Sequence, residues 1–457
     1  MFGYGIGEVG SQTIWYMVNS YLLIFYTDVL TISAAAISLI MMIARVWDAI
    51  NDPMMGMICD RTRSRWGKFR PYIIFGSPVL AVFNVLTFTV FPVQGALKVI
   101  LALLFYIGAG MAYTVVSTAY AGLVNVLSKD SQSRQNLSAA RTVGSSIAQL
   151  VLSLVAMPLI LYLGNSEVAT AQGYFRAVLV FSIIAVPCLW ITAGICKETY
   201  TKELHWNHTG KTSILQSLKN VFRNSQMLCV IFACFFVTTS IMGRLTLLSY
   251  HIIYVMGSYT LVALVFGVIS VSGLCFSLLI PFFTKRLGKK QWLCILCGIM
   301  IIGMLGVYLV PASNIPAILF FSFLSGAGSS GQGVIFGMMS DSIDYGDYRY
   351  GIREEGIAFS FITFGVKIAG AIVGAVGVLL LEGFGYVPNA EQTEAAKQGI
   401  NFVVNMIPAI AAALGFIPIL LYKLSNKKMG EISKALEERR AVKMDVAASE
   451  GQPNGGK

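Results

Sequence analysis

Apolar residues gather along this chain into twelve long runs that are separated by short polar segments. The runs lie near residues 9–27, 34–58, 72–92, 98–126, 137–163, 175–196, 227–255, 260–283, 292–311, 315–340, 356–382 and 400–422. A helix needs roughly 20 mostly apolar residues to cross the hydrocarbon core of a bilayer. The pattern therefore predicts an all-α integral membrane protein with twelve transmembrane helices.

A long polar segment divides the runs into two sets of six. We expect an N-terminal six-helix half at 1–196, a cytoplasmic central loop at 197–226, a C-terminal half at 227–422 and a cytoplasmic tail at 423–457. The text RWGK follows the second run and RLGK follows the eighth, so equivalent loops share a short sequence. Proteins built from two parallel six-helix halves have this outline.

The basic residues are distributed unevenly between the two kinds of loop. The even-numbered connections and the tail hold 26 of the 33 Lys and Arg residues, whereas the odd-numbered connections hold only Lys98 and Lys397. Basic residues in short loops remain in the cytoplasm. Both termini are therefore predicted to be cytoplasmic, with the chain resident in a bacterial cytoplasmic (inner) membrane as a multi-pass protein.

Composition supports this assignment and narrows the range of functions. The chain is 56% hydrophobic and only 12% charged, against about 25% charged residues in soluble domains. The loop bias accounts for the net charge of +11, so no nucleic-acid partner is implied. Neither HExxH nor GxSxG occurs, so we expect no enzyme activity. The eight cysteines are scattered, and we expect no cofactor. The lipid bilayer is an expected partner, and no obligate protein partner is predicted.

Charged residues inside the second run break its apolar pattern. Arg45, Asp48 and Asp52 stand at i, i+3 and i+7 and share one helix face, which Asn51 borders. Charges at this depth usually face a partner or a cavity. Two neighbouring carboxylates repel unless a cation lies between them, and sodium prefers oxygen ligands such as these and the hydroxyl of Thr114. Alternatively one carboxylate carries a proton, or Arg45 forms a static ion-pair cluster with both.

Besides Lys98 and Arg176 at the starts of their runs, three further cations lie within apolar runs: Arg141, Arg244 and Lys367. Together with Arg45 they make four positive charges against the two aspartates of the second run. This excess predicts a contact with an anionic group of a substrate; the alternative is that such side chains snorkel or bond backbone carbonyls. A sugar would also find hydroxyl partners in Gln12 and Asn19, and rings on which it can stack.

Local composition indicates where helices bend or approach one another. Pro53, directly after Asp52, predicts a break in the second helix. Small residues fill the segments 323–339 and 364–380, which lets helices pack closely and slide, although static packing is the alternative.

Several segments carry a resemblance to a known family. RVWDAINDPMMGMICDRTRSRWGKFRP at 45–71 closely resembles the signature of the glycoside-pentoside-hexuronide:cation symporters, the melibiose permease family within the major facilitator superfamily. GYGIGEVG (3–10), FYTDV (25–29), YTVVSTAY (113–120) and DSIDYGDYRYGIREEGIAFS (341–360) match in order. The resemblance covers nearly the whole chain.

The resemblance implies roles for individual residues. Asp48 and Asp52 would bind the coupling cation, and Asn51 and Thr114 match positions that help to ligate sodium. Arg141 and Lys367 match charged positions that line the central cavity in this family, and Asp60, Arg61, Arg65, Gly67 and Lys68 lie in a loop motif implied to hold the halves together on the cytoplasmic side. Ser117 and Tyr120, in the matching segment YTVVSTAY, are further candidates for contact with the sugar.

Two departures from melibiose permeases bear on the substrate. Positions that carry galactoside-binding aspartates in helices one and four read Gln12 and Ser117 here, and a nearby tryptophan reads Ala121. Melibiose is therefore disfavoured, and an acidic sugar meets less repulsion. We expect inward symport of a glycoside, pentoside or hexuronide with Na⁺ or H⁺, and the rival hypothesis is a lipid or lysolipid carrier of the same fold.

Overall fold

The fold is built almost entirely from long helices. A computed structural model describes residues 2–62, 64–127, 131–196, 198, 221–351 and 355–450. The N-terminal half contains α1 (Phe2–Ile24, continued by a π-helical turn, Phe25–Val29), α2 (Ala34–Arg61), α3 (Arg70–Thr87), α4 (Ala96–Leu127), α5 (Ser131–Gly164) and α6 (Ala171–Ile195).

The C-terminal half repeats this plan. It contains α7 (Ser225–Val255), α8 (Thr260–Arg286), α9 (Lys289–Leu309), α10 (Ile315–Tyr350), α11 (Glu355–Gly383) and α12 (Glu394–Leu421), and α13 (Asn426–Glu450) follows on the cytoplasmic side. Within α10 one 3₁₀ turn, Ala327–Ser330, interrupts the α-helical bonding in the small-residue segment. Most of the predicted central loop, 197 and 199–220, lies outside the described residues.

The twelve predicted membrane helices are confirmed, with two corrections to their detail. Eleven helices in the described chain are long and apolar enough to cross a bilayer; α1 is more polar, and it packs between α5, α6 and α7. α1 begins at Phe2 rather than at residue 9, which brings Glu8 inside it. The break predicted at Pro53 is wrong, because α2 continues to Arg61; neighbouring helices and polar groups let membrane helices tolerate proline.

The two halves meet along three pairs of helices: α1 with α7, α2 with α11, and α5 with α8. If each helix is replaced by the equivalent helix of the other half, six helices along the chain, the α2–α11 pair becomes the α8–α5 pair. The α1–α7 pair is unchanged. The two loops that carry RWGK and RLGK fit the same relation. Their glycines, Gly67 and Gly288, have φ of 109° and 100°, a backbone conformation that favours glycine. The packing therefore has the two-fold character that the sequence predicted.

Glycines of α11 permit its close approach to α2. A Cβ added to Gly374 would lie 3.2 Å from Cγ of Met41, and one added to Gly370 would lie 3.5 Å from Nη2 of Arg45. These two positions lie one helical turn apart on the face that meets α2. The small-residue segment predicted at 364–380 thus brings α11 against the charged face of α2.

Hydrogen bonds between the halves close the extracellular end. The Asp28 carboxylate, at the end of α1, accepts from the hydroxyls of Tyr254 (2.7 Å) and Tyr386, and Asn389 Nδ2 donates to the Asp28 carbonyl (2.6 Å). Thr27 and Tyr250 share a further bond of 2.9 Å. Burial raises the pKa of the Tyr386 phenol far above its usual range, so this hydroxyl remains a donor. We call these residues the extracellular latch.

A large cavity lies between the halves on the other side of the latch. Its volume is about 780 Å³, and its walls reach Arg141 near the cytoplasmic start of α5, Pro281 near the end of α8, and Phe336 in the cytoplasmic half of α10. With the extracellular end bonded shut and the cavity extending toward the cytoplasm, the protein is in an inward-facing conformation.

The latch yields a test of this conformation. Tyr386→Phe removes one donor to the half-buried Asp28 carboxylate, which is worth roughly 1.5–3 kcal/mol, so the closed extracellular end should lose about tenfold or more in relative population. Spin labels at the exposed residues Gln94 and Ser313, introduced after the native cysteines are replaced, would report longer distances by pulsed electron paramagnetic resonance.

Tyr162→Phe is the matched control, because that tyrosine is 77% exposed and should leave the distances unchanged. Identical distance distributions for Tyr386→Phe and its parent would show that the latch does not hold the extracellular end.

Candidate functional site

Opposite charges from both halves meet where α2 faces α11. Lys367 Nζ on α11 forms an ion pair with Asp52 Oδ2 on α2, and Thr114 Oγ1 on α4 donates to Asp52 Oδ1 at 3.0 Å. One turn earlier on α2, Arg45 Nη1 lies 3.5 Å from Asp48 Oδ2. We call these five residues, together with Asn51, the α2–α11 charge cluster.

The charge cluster is electrically balanced by its own side chains. Asp48 and Asp52 are matched by Arg45 and Lys367, and all four are partly buried. A further cation in this cluster would give it a net positive charge unless one of these fixed cations moved away. The static cluster considered from the sequence paired Arg45 with both aspartates, whereas Arg45 contacts Asp48 and Asp52 pairs with Lys367 of the other half. Whether the site is static or exchangeable thus depends on whether Lys367 leaves Asp52.

Asn51 has an unusual environment within the cluster. It is 1% exposed, and both its amide oxygen and its amide nitrogen lack a hydrogen-bond partner in the described part of the chain. A buried polar group without a partner costs about 1–3 kcal/mol. Because Asn51 is adjacent to Asp52 and three residues from Asp48, its oxygen is available as a further ligand beside the two carboxylates.

A second charge cluster lies in the N-terminal half, around Glu8 of α1. Arg141 Nε donates to Glu8 Oε2 at 2.8 Å, and Gln12 Nε2 donates to Glu8 Oε1 at 2.8 Å. Behind them the rings of Tyr4 and Tyr120 stack at 4.4 Å, and the Arg141 guanidinium lies 5.3 Å from the Tyr120 ring. Glu8 and Arg141 both line the cavity.

Glu8 corrects the charge count made from the sequence. The apolar-run boundary at residue 9 excluded it, because GYGIGE is rich in glycine and its start is only weakly apolar. The structure places Glu8 in α1 with 4% exposure and pairs it with Arg141. The four cations are therefore matched by three carboxylates in these clusters, and the cavity does retain one carboxylate on α1.

Arg244 of α7 is the cation left without a carboxylate in the described residues. It is 2% exposed. Its Nη1 donates to Asn405 Oδ1 and its Nη2 to Ser322 Oγ at 3.4 Å, and both partners are neutral. Arg244 lies on the part of the cavity wall that the C-terminal half contributes, and the Glu8–Arg141 pair lies on the part that the N-terminal half contributes.

The remaining sequence-predicted substrate residues lie away from the cavity wall. Tyr120 is 1% exposed and its hydroxyl donates to the Tyr4 carbonyl at 2.5 Å, so it supports Arg141 from behind. Ser117 donates to the Thr114 carbonyl at 3.4 Å. Asn19 is half-buried on α1. Direct substrate contacts at these three positions remain predictions.

The loop motif between α2 and α3 is tied to the start of the central loop, directly after α6. The Glu198 carboxylate accepts the backbone N–H groups of Lys68 and Phe69 at 2.6 and 2.7 Å, and a Cβ on Gly67 would overlap that carboxylate. The Arg65 guanidinium lies over Trp66. The side chains of Asp60 and Arg61 lie outside the described residues. That the motif holds the two halves together on the cytoplasmic side remains a prediction.

The cavity wall is rich in hydroxyl groups from both halves. Apolar side chains such as Ile241, Leu274 and Phe336 share the wall with many short polar groups, and the polar groups suit a ligand with many hydroxyls. The serines on the wall are Ser145, Ser146, Ser270, Ser277, Ser325, Ser329 and Ser330, and Thr142, Gln149 and Gln332 accompany them.

Comparison with known proteins agrees with this architecture. Residues 3–426 match the family described as MFS/sugar transport protein. The chain belongs to this family. It is 32% identical to the isoprimeverose transporter of Lactiplantibacillus pentosus, covering 98% of this chain and 92% of the relative. It is also 30% identical to a glucuronide carrier protein homolog of Escherichia coli strain K12, covering 97% and 96%.

A solved structure supports the fold independently. A D-xylose–proton symporter superposes with a TM-score of 0.64 at 15% identity, covering 91% of this chain and 96% of the other. The resemblance to glycoside-pentoside-hexuronide symporters is confirmed, and this protein is a multi-pass MFS sugar transporter of the inner membrane, not an enzyme.

The ion pair between the halves of this transporter generates a stability prediction. Lys367→Gln leaves Asp52 without a cation and should lower the free energy of unfolding by about 1–3 kcal/mol, between the values of exposed and buried pairs. Asp52→Asn together with Lys367→Gln should recover most of that loss. Thermal unfolding in detergent, followed by size-exclusion chromatography, measures both effects.

The exposed pair Lys397–Glu394, at 2.8 Å, supplies the control. Lys397→Gln should change stability by less than about 0.5 kcal/mol. Additive losses in the Asp52→Asn, Lys367→Gln double variant would mean that the two side chains do not interact energetically.

Proposed function

We propose that this MFS sugar transporter is a symporter that carries a glycoside, pentoside or hexuronide into the cell together with a monovalent cation, sodium in the first instance and a proton as the alternative. The observation that carries the proposal is the ion pair between Asp52 of α2 and Lys367 of α11. It joins the two halves through the same carboxylate that the sequence predicts to bind the cation.

Cation entry begins with competition for Asp52. A sodium ion beside Asp52 takes the place of the Lys367 ammonium, because both neutralise the same carboxylate. The oxygens of Asp48, Asn51 and Thr114 complete a set of hard ligands of the kind that sodium prefers. The unpartnered amide of Asn51 favours sodium over a proton, since a proton needs no additional ligand.

Release of Lys367 is the step that links cation binding to movement. While the ammonium lies on Asp52, it ties α11 to α2 across the domain interface. Once the cation has replaced it, that tie is gone and the halves can rotate about the α1–α7 and α5–α8 contacts. Alternating access in this fold is largely a rocking of one half against the other around a central site.

The sugar binds in the hydroxyl-rich cavity on the cytoplasmic side of the latch. Glu8 is a fixed acceptor for sugar hydroxyls, and Arg141 is a fixed donor held by Glu8 and by the ring of Tyr120. Symport requires that cation binding raise sugar affinity, and linkage then requires the sugar to raise cation affinity by the same factor.

The lining of the cavity favours a sugar over a lipid. An acyl chain gains its binding energy from burying apolar surface, whereas the wall described above presents seven serine hydroxyls and the charged side chains of Glu8, Arg141 and Arg244. Ser325, Ser329 and Ser330 already donate to backbone carbonyls of α10. Covering the other four serine hydroxyls with hydrocarbon would leave each without a hydrogen bond, at a cost of about 1–3 kcal/mol. The lipid-carrier hypothesis therefore becomes an outcome of the transport experiment.

Uptake into proteoliposomes tests the proposal. A radiolabelled panel of a glucuronide, a xyloside and a galactoside is offered under an imposed sodium gradient or an imposed proton gradient. At least one sugar should accumulate above equilibrium under one gradient, and Asp52→Asn should lower that accumulation to the level without a gradient, because the variant cannot hold the coupling charge.

Glu394→Gln is the matched control, since Glu394 is an acidic residue whose side chain is 82% exposed. It should accumulate sugar like the parent. Gradient-driven accumulation that survives Asp52→Asn would contradict the proposed coupling site. Lipid-dependent efflux with no uptake of any sugar would move the lipid carrier to first place.

A further inference from the structure

Arg244 carries an unmatched charge in a closely packed part of the C-terminal half. It lies on α7, and its neighbours Ser322 on α10 and Asn405 on α12 are 0% exposed. Its Nε has no hydrogen-bond partner among the described residues. A buried charge without a counter-ion costs several kcal/mol, so a protein that retains one in this position gains something from it.

The other three interior cations already have carboxylate partners. Arg45 pairs with Asp48, and Lys367 pairs with Asp52, so the α2–α11 cluster is neutral. Arg141 pairs with Glu8 at 2.8 Å. Arg244 is therefore the cation on the described cavity wall that is not already neutralised by the protein.

A chain of neutral amides fixes the orientation of Arg244. Asn405 accepts from Arg244 and donates through Nδ2 to Asn401 Oδ1 at 2.7 Å, and Asn401 Nδ2 donates in turn to the Tyr308 carbonyl at 2.9 Å. Each amide in this chain has its donor and acceptor directions set by the next. The guanidinium is thus held rigidly without losing its charge.

Asp28 is a carboxylate near the other end of α7 that is bonded to neutral groups. Asp28 bonds to Tyr254 of α7 in the extracellular latch, and Tyr254 is ten residues beyond Arg244, which corresponds to roughly 15 Å along a helix. Asp28 is occupied by hydroxyl donors there. It does not serve as the counter-ion of Arg244.

We propose that Arg244, held by Asn405 and Ser322, is a subsite for an anionic group of the transported sugar, either a carboxylate or a sulfonate. The inference rests on the proposed function. Guanidinium groups recognise such oxyanions through paired hydrogen bonds. A sugar spanning the cavity would place its hydroxyls against Glu8 and Arg141 of one half and its anion against Arg244 of the other.

The subsite also gives the sugar a role in joining the halves. An anionic sugar that contacts Arg141 on α5 and Arg244 on α7 bridges the N-terminal and C-terminal halves. A neutral sugar of the same size makes the first contact and lacks the charge for the second. Arg244 is therefore a specificity-determining residue, and its loss should affect anionic and neutral sugars differently.

Binding of matched sugars to the purified protein tests this subsite. p-Nitrophenyl β-D-glucuronide and p-nitrophenyl β-D-glucoside differ only in the group at C6, and a 6-sulfonate analogue of the glucoside distinguishes sulfonate from carboxylate. Calorimetry should give at least about tenfold tighter binding of one anionic sugar than of the glucoside, which corresponds to one charge-assisted hydrogen bond.

Two variants change the charge of the subsite in different ways. Arg244→Gln removes the cation, and Asn405→Asp keeps the shape of the side chain but gives Arg244 a carboxylate partner inside the protein. Both should abolish the preference for the anionic sugar while glucoside binding changes by less than about threefold. Arg176→Gln, at an exposed arginine of α6, is the control and should leave the preference intact.

The outcomes separate this inference from the proposed function. If the glucoside accumulates under a cation gradient and neither anionic sugar competes with it, the symporter stands and the anion subsite is wrong. If the preference persists in both Arg244→Gln and Asn405→Asp, the subsite is also wrong. Absence of binding or uptake for every sugar would reject the proposed function, and the subsite with it. Should Arg244→Gln fail to fold, Asn405→Asp decides alone.

Discussion

The structure depends on the pairing of opposite charges, because an unpaired charge inside the membrane would be costly. Asp52 on α2 and Lys367 on α11 belong to different halves, so the ion pair that makes each tolerable inside the bilayer also holds the halves together. Breaking such a pair leaves an uncompensated charge. In the proposed mechanism, movement of the halves therefore requires a substitute for Lys367, and a cation from solution supplies it.

The extracellular end is closed by a different kind of interaction. The latch uses hydroxyl and amide donors around Asp28 rather than a second ion pair. Each hydrogen bond to a charged group contributes about 1.5–3 kcal/mol, so the latch can open and re-form without exposing an isolated cation. In the proposed mechanism, the charged contact responds to the coupling ion and the latch follows the rotation of the halves.

Periodicity and charge placement were sufficient to predict much of this arrangement. Twelve apolar runs gave the twelve helices, and the i, i+3, i+7 spacing put Arg45, Asp48 and Asp52 on one face. Glu8 was missed because glycines dilute the apolar signal at the start of α1. The pairing of Asp52 with Lys367 was not predictable from spacing, because it depends on how closely the glycines of α11 approach α2. The Asp28 latch joins residues more than 200 positions apart, and local patterns carry no signal for such contacts.

Competition between Lys367 and the coupling ion for Asp52 is the central step of the proposed mechanism. Equilibrium binding of radioactive sodium to the purified transporter tests it most directly, with the parent protein compared with Lys367→Ala and Asp52→Asn. Competition predicts that Lys367→Ala binds sodium at least about tenfold more tightly than the parent, since removal of the tethered cation strengthens sodium binding by the energy of one partly buried charge pair, and that Asp52→Asn binds little. Sodium affinity that is unchanged in Lys367→Ala, or that is retained in Asp52→Asn, would contradict it.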